Sequence, residues 1–172
     1  KEKNFRFECT GVFKYGCKVS DRQMKTPEEK LEELGLELPP LRPGVGNYIS
    51  CVCTGNLLIT AGQGVDEYNG KLGRDVTTEE GYFAAQQSML NLLAVVKNEL
   101  GELRKVKKFV KLLVMVNSTE DFTEQPIVAN GASDLLGKVF GEKGKHGRSA
   151  VGMAQLPNNT AIEIEMIVEV ES

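Results

Sequence analysis

One arginine and two glutamates near the carboxyl end have the types and spacing that could do chemistry. They lie in residues 146–165, HGRSAVGMAQLPNNTAIEIE, where Arg148 comes before a run of small residues and Glu163 and Glu165 follow LPNNT. An arginine can bind a carboxylate through two hydrogen bonds, and a buried glutamate can hold or deprotonate a water. A solvated charge for Arg148 and a polar interface residue for Glu163 are the alternatives. Glu165, one pleat further along, is predicted to be structural.

Other chemistry finds little support in the residue spacings. The four cysteines, Cys9, Cys17, Cys51 and Cys53, form no C-x-x-C pair and no zinc-like spacing with the single histidine, His146. Phosphate-binding glycine loops, zinc-protease motifs and hydrolase elbows do not occur. We therefore predict no metal and no cofactor, with acid–base work left to carboxylates or water. Cys51 and Cys53 are expected to be small buried thiols on one face of a strand.

A basic stretch, RKVKKFVK at 104–111, is the candidate contact for RNA. Strict alternation would put Lys105, Lys107, Phe109 and Lys111 on one side of a strand, where the lysines could reach phosphates. A solvated strand entry is the favoured interpretation. The net charge of -3 gives no overall basic field, so nucleic acid is an improbable partner.

Start and stop signals divide the chain into three parts. Residues 1–23 form a mildly basic extension, which could be a trimmed targeting segment. Residues 24–45 hold a short helix, opened by Thr26 and Glu29 as a capping box, and a Pro/Gly linker. Residues 46–172 form the main domain. Since no apolar run approaches the ~20 residues of a membrane helix, we expect a soluble, cytoplasmic protein, or an organellar one if residues 1–23 are a targeting remnant.

The main domain is expected to be α+β. Two strands around TGN are followed by a long helix capped by Thr77 and Glu80, a buried strand at 106–118, a helix at 125–141 and two final strands. NGKLGR at 69–74 could add an edge strand. This order predicts a mixed sheet with two helices packed on one face. The other face carries Glu163 and Glu165 among apolar and small residues, which favours a homo-oligomer.

Three segments resemble the YjgF/RidA family, also called the reactive-intermediate deaminases or endoribonuclease L-PSP family. They are NYISCVCTGNLLITAGQ, HGRSAVGMAQLP and AIEIEMIVE, and the resemblance runs from about Leu41 to Val168. It implies a chorismate-mutase-like fold, a homotrimer with sites between subunits, and cofactor-free hydrolysis of enamines and imines such as 2-aminoacrylate to 2-oxo acids and ammonia.

The resemblance also implies roles for individual residues. Arg148 matches the arginine that binds the substrate carboxylate, and Glu163 matches the glutamate that positions water. Tyr48 and Asn130 match residues that line the pocket, and Gly62 matches the glycine whose amide faces the substrate. Two positions depart from the family pattern: Ala61 replaces a serine and Ala150 replaces a cysteine. An endoribonuclease and a non-enzymatic carboxylate-metabolite binding protein therefore stand as alternatives.

A spacing argument separates the two catalytic candidates. If the last two strands form a hairpin that pairs Leu156 with Ala161, Ala154 lies opposite Glu163, and Arg148 lies six residues further along. At ~3.4 Å per residue this is roughly 20 Å. We therefore expect Arg148 of one subunit to share a site with Glu163 of its neighbour.

Overall fold

A computed structural model describes residues 25–42 and 46–171, so the expected extension at 1–23, with Cys9 and Cys17, lies outside the described residues. The helices and strands follow one another as α1 (Pro27–Glu33), β1 (Cys51–Thr54), β2 (Leu57–Thr60), β3 (Gln63–Gly64), α2 (Thr78–Leu100), β4 (Val106–Asn117), α3 (Gln125–Phe140), β5 (Gly147–Met153) and β6 (Ile162–Val170). The expected α+β order with a mixed sheet is confirmed.

Both expected capping boxes are present. The hydroxyls of Thr26 and Thr77 accept from the amides of Glu29 and Glu80, whose carboxylates accept from the amides of the two threonines. Each box satisfies donors that a helix start leaves unpaired. Leu31, on the buried side of α1, is 3% exposed and belongs to the same apolar core as the other helices.

The strands form one sheet in the order β1-β2-β6-β4-β5, with β3 also beside β6. Among the strands of residues 46–171, the β4–β5 pair is parallel and the other strand pairs are antiparallel. NGKLGR makes isolated bridges at Asn69 and Leu72 but no strand, which corrects the expected edge strand.

The expected hairpin of the last two strands is wrong, because β4 lies between β5 and β6. The connecting LPNNT segment crosses the end of β4 and is fastened there by Asn117. The amide of Asn117 donates to Ala161 O at 2.9 Å, and its side-chain Nδ2 donates to Thr160 O at 3.2 Å. Asn158 and Asn159 turn this connection with left-handed backbone angles, φ 55 and 58.

One face of the sheet packs against α2 and α3, and the other face carries no helix among the described elements. Alternate side chains of β6 divide accordingly: the helix side has Ile162, Ile164, Met166 and Val168, all at most 2% exposed. We call the second side the open face; it is lined by Val52, Ile59, Leu113, Val151, Glu163, Glu165 and Ile167, all only partly buried or exposed.

The basic strand does not alternate as expected. Register shifts in β4 on either side of Lys108–Phe109 put Phe109 into the core at 0% exposure, whereas Lys111 lies on the open face and donates to Ser149 Oγ at 2.7 Å. Lys107 forms an ion pair with Glu169. The expectation that Lys105, Lys107, Phe109 and Lys111 share one side of the strand is therefore wrong.

Cys51 and Cys53 share one side of β1, as expected, since each Sγ lies 3.8 Å from the Glu99 carboxylate. Cys53 is exposed, however, so the expectation of two buried thiols is wrong. Burial, and then the charge of Glu99, raises the pKa of the Cys51 thiol to about 11. A thiol with such a pKa is almost entirely protonated at neutral pH and is a poor nucleophile.

Within the described ranges, no helix has both the length and the apolar character needed to span a membrane.

Candidate active site

Glu163 lies half-buried on the open face, at the second position of β6. Its backbone pairs with Gly64 of β3 on one side and Met115 of β4 on the other. Burial raises the pKa of its carboxyl, and the nearby charge of Glu165 raises it further. A carboxylate with a raised pKa is a stronger base than an ordinary glutamate.

Gly62 lies directly against the Glu163 side chain. A Cβ at position 62 would be 2.0 Å from Glu163 Oε1 and 2.8 Å from its Cδ, so any other residue would displace the carboxyl group. The absence of a side chain at Gly62 is therefore what allows Glu163 to occupy this place. The structure brings these two expected site residues together.

Tyr48 precedes β1 on the segment that runs beside Ala61 and Gly62. The carbonyl of Ser50, two residues after Tyr48, accepts from the Ala61 amide at 2.8 Å. Tyr48 itself is 56% exposed. Its ring is thus open to solvent and is not part of the core.

Arg148 lies on the opposite side of the sheet, at the edge strand β5, where it pairs with Leu112, a buried residue of the helix side. Its guanidinium is bound to α3 by three hydrogen bonds. Nη1 donates to Asn130 Oδ1 at 3.0 Å and to Ser133 Oγ at 2.9 Å, and Nη2 donates to the Pro126 carbonyl at 3.1 Å. The interpretation of Arg148 as a freely solvated charge is therefore wrong.

The three acceptors lie on one side of α3, at helical spacings of four and three residues. They use three of the five N–H donors of Arg148, and the donors left on Nε and Nη2 have no partner among the residues that the structure describes. These two nitrogens form the edge of a guanidinium that can hold a carboxylate with two hydrogen bonds. Among the described residues, no Asp or Glu forms an ion pair with Arg148.

Arg148 and Glu163 do not meet within one chain. Arg148 pairs with Leu112, whereas Glu163 pairs with Met115, which has Val151 on its other side. Two strand spacings of ~4.8 Å and three residues of ~3.3 Å separate their backbones by about 14 Å. The expected separation of roughly 20 Å was calculated for a hairpin between the last two strands, and that hairpin does not form. In the structure the two side chains project from opposite faces of the sheet.

The sequence interpretation missed Ser133 and His146. Ser133 Oγ lies 3.0 Å from His146 Nε2, and His146 Nδ1 lies 2.6 Å from the Gly144 carbonyl oxygen. His146 precedes Arg148 by two residues, so strand alternation could have placed them on one face. The part played by Ser133 required knowing which side of α3 packs against β5.

The two departures from the family pattern differ in their surroundings. Ala150 lies on the helix side of β5, partly buried against the core, and Ala61 lies next to Gly62 between β2 and β3.

The described part of the chain contains no group of three His, Cys, Asp or Glu side chains arranged to hold a metal ion.

Comparison with known proteins places these features in a family. A family model described as "YjgF/chorismate mutase-like, putative endoribonuclease" matches residues 28–170. The chain belongs to this family. Among its YjgF/RidA relatives, Protein TCP17 of Trypanosoma cruzi is 44% identical, with 83% of this chain and 92% of that protein covered.

Two further relatives bear on structure and activity. A crystal structure described as "a putative endoribonuclease" from Shewanella oneidensis is 36% identical with a TM-score of 0.82, and covers 85% of this chain and 100% of that one. A 2-iminobutanoate/2-iminopropanoate deaminase of Dermatophagoides farinae is 32% identical over 77% of this chain and 93% of that protein. The expected family and its fold are confirmed.

Proposed function

We propose that this protein hydrolyses small reactive enamines and imines, of the 2-aminoacrylate type, to 2-oxo acids and ammonia. The observation that carries the proposal is the Arg148 guanidinium, which three acceptors of α3 hold while two of its N–H donors stay available for a carboxylate. The relative from Dermatophagoides farinae, named as a deaminase of 2-iminobutanoate and 2-iminopropanoate, supports the substrate class.

The reaction needs only water and a group that exchanges protons. Arg148 binds and orients the substrate carboxylate. Glu163 accepts a proton from a water as its oxygen attacks C2 of the imine, and the C=N bond becomes a C–N bond. Glu163 then returns that proton to nitrogen, which gives a carbon that bears both a hydroxyl and an amino group. In a second exchange Glu163 moves the hydroxyl proton to the amino nitrogen, so that the C–N bond breaks, ammonia leaves and a C=O bond forms at C2. The raised pKa of Glu163 makes its carboxylate a stronger base for taking the proton from water.

We further propose that the site forms between subunits of a homotrimer. Arg148 at the edge of β5 would contribute from one subunit, and Tyr48, Gly62 and Glu163 from its neighbour. The open face supports this arrangement because it leaves Val52 50% exposed and Ile59 39% exposed, and a second copy would cover them. Closure of the cleft would also exclude water and strengthen the contact of Arg148 with the carboxylate.

Endoribonuclease activity is the second candidate, because the family description and the Shewanella relative carry that name. The basic stretch at 104–111 gives little support to an endoribonuclease, because two of its lysines already have partners. Lys107 is paired with Glu169, and the ammonium of Lys105 donates to the Leu100 carbonyl, so neither is a free phosphate contact. Cleavage of RNA that persists unchanged in an Arg148→Ala variant would indicate a different site.

A coupled assay tests the deaminase. A serine or threonine dehydratase generates the enamine, and its decay is followed with wild type, Arg148→Ala and Glu163→Gln. We expect wild type to accelerate the decay and each variant to lose that acceleration by at least about 100-fold, the range typical of positioned acid–base groups. Arg104→Ala and Glu142→Gln, which change exposed ion pairs elsewhere, serve as controls.

Decay that wild type does not accelerate would overturn the deaminase and favour a binding protein for carboxylate metabolites. Acceleration that survives in Arg148→Ala would show that the arginine is not part of the site.

A further inference from the structure

Ser133 and His146 form a hydrogen-bonded chain behind Arg148. A carbonyl oxygen only accepts, so His146 Nδ1, at 2.6 Å from Gly144 O, must carry a hydrogen. In the neutral ring Nε2 is then an acceptor, and it takes the hydroxyl hydrogen of Ser133 at 3.0 Å. The oxygen of that hydroxyl accepts from Arg148 Nη1 at 2.9 Å.

The Ser133 hydroxyl has two acceptors within reach, His146 Nε2 at 3.0 Å and the Ala129 carbonyl oxygen, four residues earlier in α3, at 3.5 Å. The shorter contact directs its hydrogen to His146. Because its hydrogen is directed to His146, a lone pair of its oxygen faces the guanidinium. All three residues are half-buried, where such hydrogen bonds are stronger than in water. His146 is itself held at its far side by the Gly144 carbonyl, and a Cβ at Gly144 would lie 2.4 Å from the Leu136 carbonyl oxygen, so this turn packs closely against α3.

We infer that Ser133, oriented by His146, is a positioning residue that fixes the plane of the Arg148 guanidinium for binding the carboxylate of a 2-imino or 2-oxo acid. The inference rests on the proposed function for its substrate class. Arg148 has a long side chain on an edge strand, and its remaining Nε and Nη2 donors bind a carboxylate together only if the guanidinium plane is fixed. Asn130 and Ser133 are the two acceptors that hold Nη1.

Binding of 2-oxobutanoate, a stable 2-oxo acid, tests the inference without relying on turnover. Calorimetry compares wild type with Ser133→Ala, Ser133→Thr, His146→Leu and His146→Gln. We expect Ser133→Ala and His146→Leu to weaken binding about fivefold, the worth of one hydrogen bond. Ser133→Thr keeps the hydroxyl and His146→Gln keeps an acceptor, so both are expected to restore most of the affinity.

A nuclear magnetic resonance signal separates positioning from a general loss of structure. In protein labelled with ¹⁵N-arginine, the Nε–H signal of Arg148 is assigned by its loss in Arg148→Lys. We expect 2-oxobutanoate to shift this signal in wild type, and Ser133→Ala to broaden it before any ligand is added. Asp134→Ala is the matched control, because Asp134 neighbours Ser133 on α3 but binds Tyr82 and not Arg148.

The outcomes distinguish the inference from the proposed function. If wild type hydrolyses imines and Ser133→Ala binds 2-oxobutanoate like wild type, the inference is wrong and the function stands. If wild type binds 2-oxobutanoate through Arg148 and Ser133 but accelerates no hydrolysis, the inference stands and the function fails. If wild type does not bind 2-oxobutanoate at millimolar concentration, the inference is overturned, and the imine assay decides the function separately.

Discussion

The environment of Glu163 distinguishes it from the other acidic residue of its motif. Its carboxyl lies in the space left by Gly62, is half-buried, and has a raised pKa, whereas Glu165 is its like-charged neighbour two residues along the strand. Two carboxylates on one face of a strand disfavour each other's ionised form. Glu165, expected to be structural, therefore influences the proton affinity of Glu163.

Replacement of Glu165 by glutamine should shift the pH dependence of the reaction. Glu163 must be ionised to accept a proton, so kcat/KM should fall as the pH drops through its raised pKa. Glu165→Gln removes the neighbouring negative charge, lowers the pKa of Glu163 and moves this acid limb to lower pH. The shift should be partial because burial, the larger cause, remains. Profiles of kcat/KM against pH measure it.

Glu169→Gln is the control for this profile. Glu169 lies on the same face of β6 but is paired with Lys107, and is six residues from Glu163. Its replacement should leave the acid limb in place. An acid limb that Glu165→Gln does not move would contradict the assignment of that limb to Glu163.

Several site residues could be predicted from the sequence, but their contacts could not. The resemblance to YjgF/RidA proteins indicated Gly62 and Glu163, and the structure places them in contact. Asn130 was expected to line the pocket; here its side-chain oxygen binds Arg148. Ser133 was not expected, because a serine inside a helix has no distinguishing pattern until its partner on another element is known.

At the level of elements, helices were easier to predict than strand pairing. Both capping boxes are local, since their hydrogen bonds join residues three positions apart. The pairing of β5 and β6 with β4 depends on contacts between distant segments. LPNNT has the composition of a hairpin turn, yet Asn117, more than 40 residues earlier, fixes it across the end of β4. No pattern within LPNNT and the two strands beside it indicates that Asn117 will bind this segment.

Two glycines of α3 should respond in opposite ways to alanine. A Cβ at Gly131 would lie 1.9 Å from the Tyr82 carbonyl oxygen, so the glycine allows α2 and α3 to pack closely, whereas a Cβ at Gly137 meets nothing within 4 Å. We expect Gly131→Ala to lower the free energy of unfolding by about 2 kcal/mol or more. Gly137→Ala should raise it by about 0.5–1 kcal/mol, the difference in helix propensity.

Urea unfolding followed by circular dichroism measures both changes, and each variant is the control for the other because they share a helix and a substitution. Equal stabilities for the two variants would contradict the close approach of α2 to α3. Since Asn130 and Ser133 flank Gly131, the same contact between helices also holds the acceptors of Arg148 in place.

At the level of the whole molecule, the proposed site is divided between the two faces of the sheet. Arg148 is held on the helix side at the β5 edge, and Glu163 lies on the open face. A single copy presents two incomplete halves. In a closed ring of identical copies, the β5 edge of each copy can pack against the open face of its neighbour, so that each Arg148 meets the Glu163 of another copy. The proposed chemistry therefore needs the proposed assembly if both residues are to act on one substrate.

Mixed assemblies of two inactive variants should recover activity. When Arg148→Ala and Glu163→Gln chains are refolded together in equal amounts, a site is intact if its arginine comes from a Glu163→Gln chain and its glutamate from an Arg148→Ala chain. Each choice has a probability of one half, so about a quarter of the sites in a random ring should be complete. Imine hydrolysis by the mixture, compared with refolded wild type, measures this fraction.

The control mixture pairs Arg148→Ala with the double variant Arg148→Ala/Glu163→Gln, which supplies no arginine and should stay inactive. Sites built within one chain would give no recovery in either mixture, because every chain carries a defect. Light scattering on the same samples establishes whether both mixtures assemble. Recovery near a quarter in the first mixture alone would mean that each site draws its arginine and its glutamate from two different subunits.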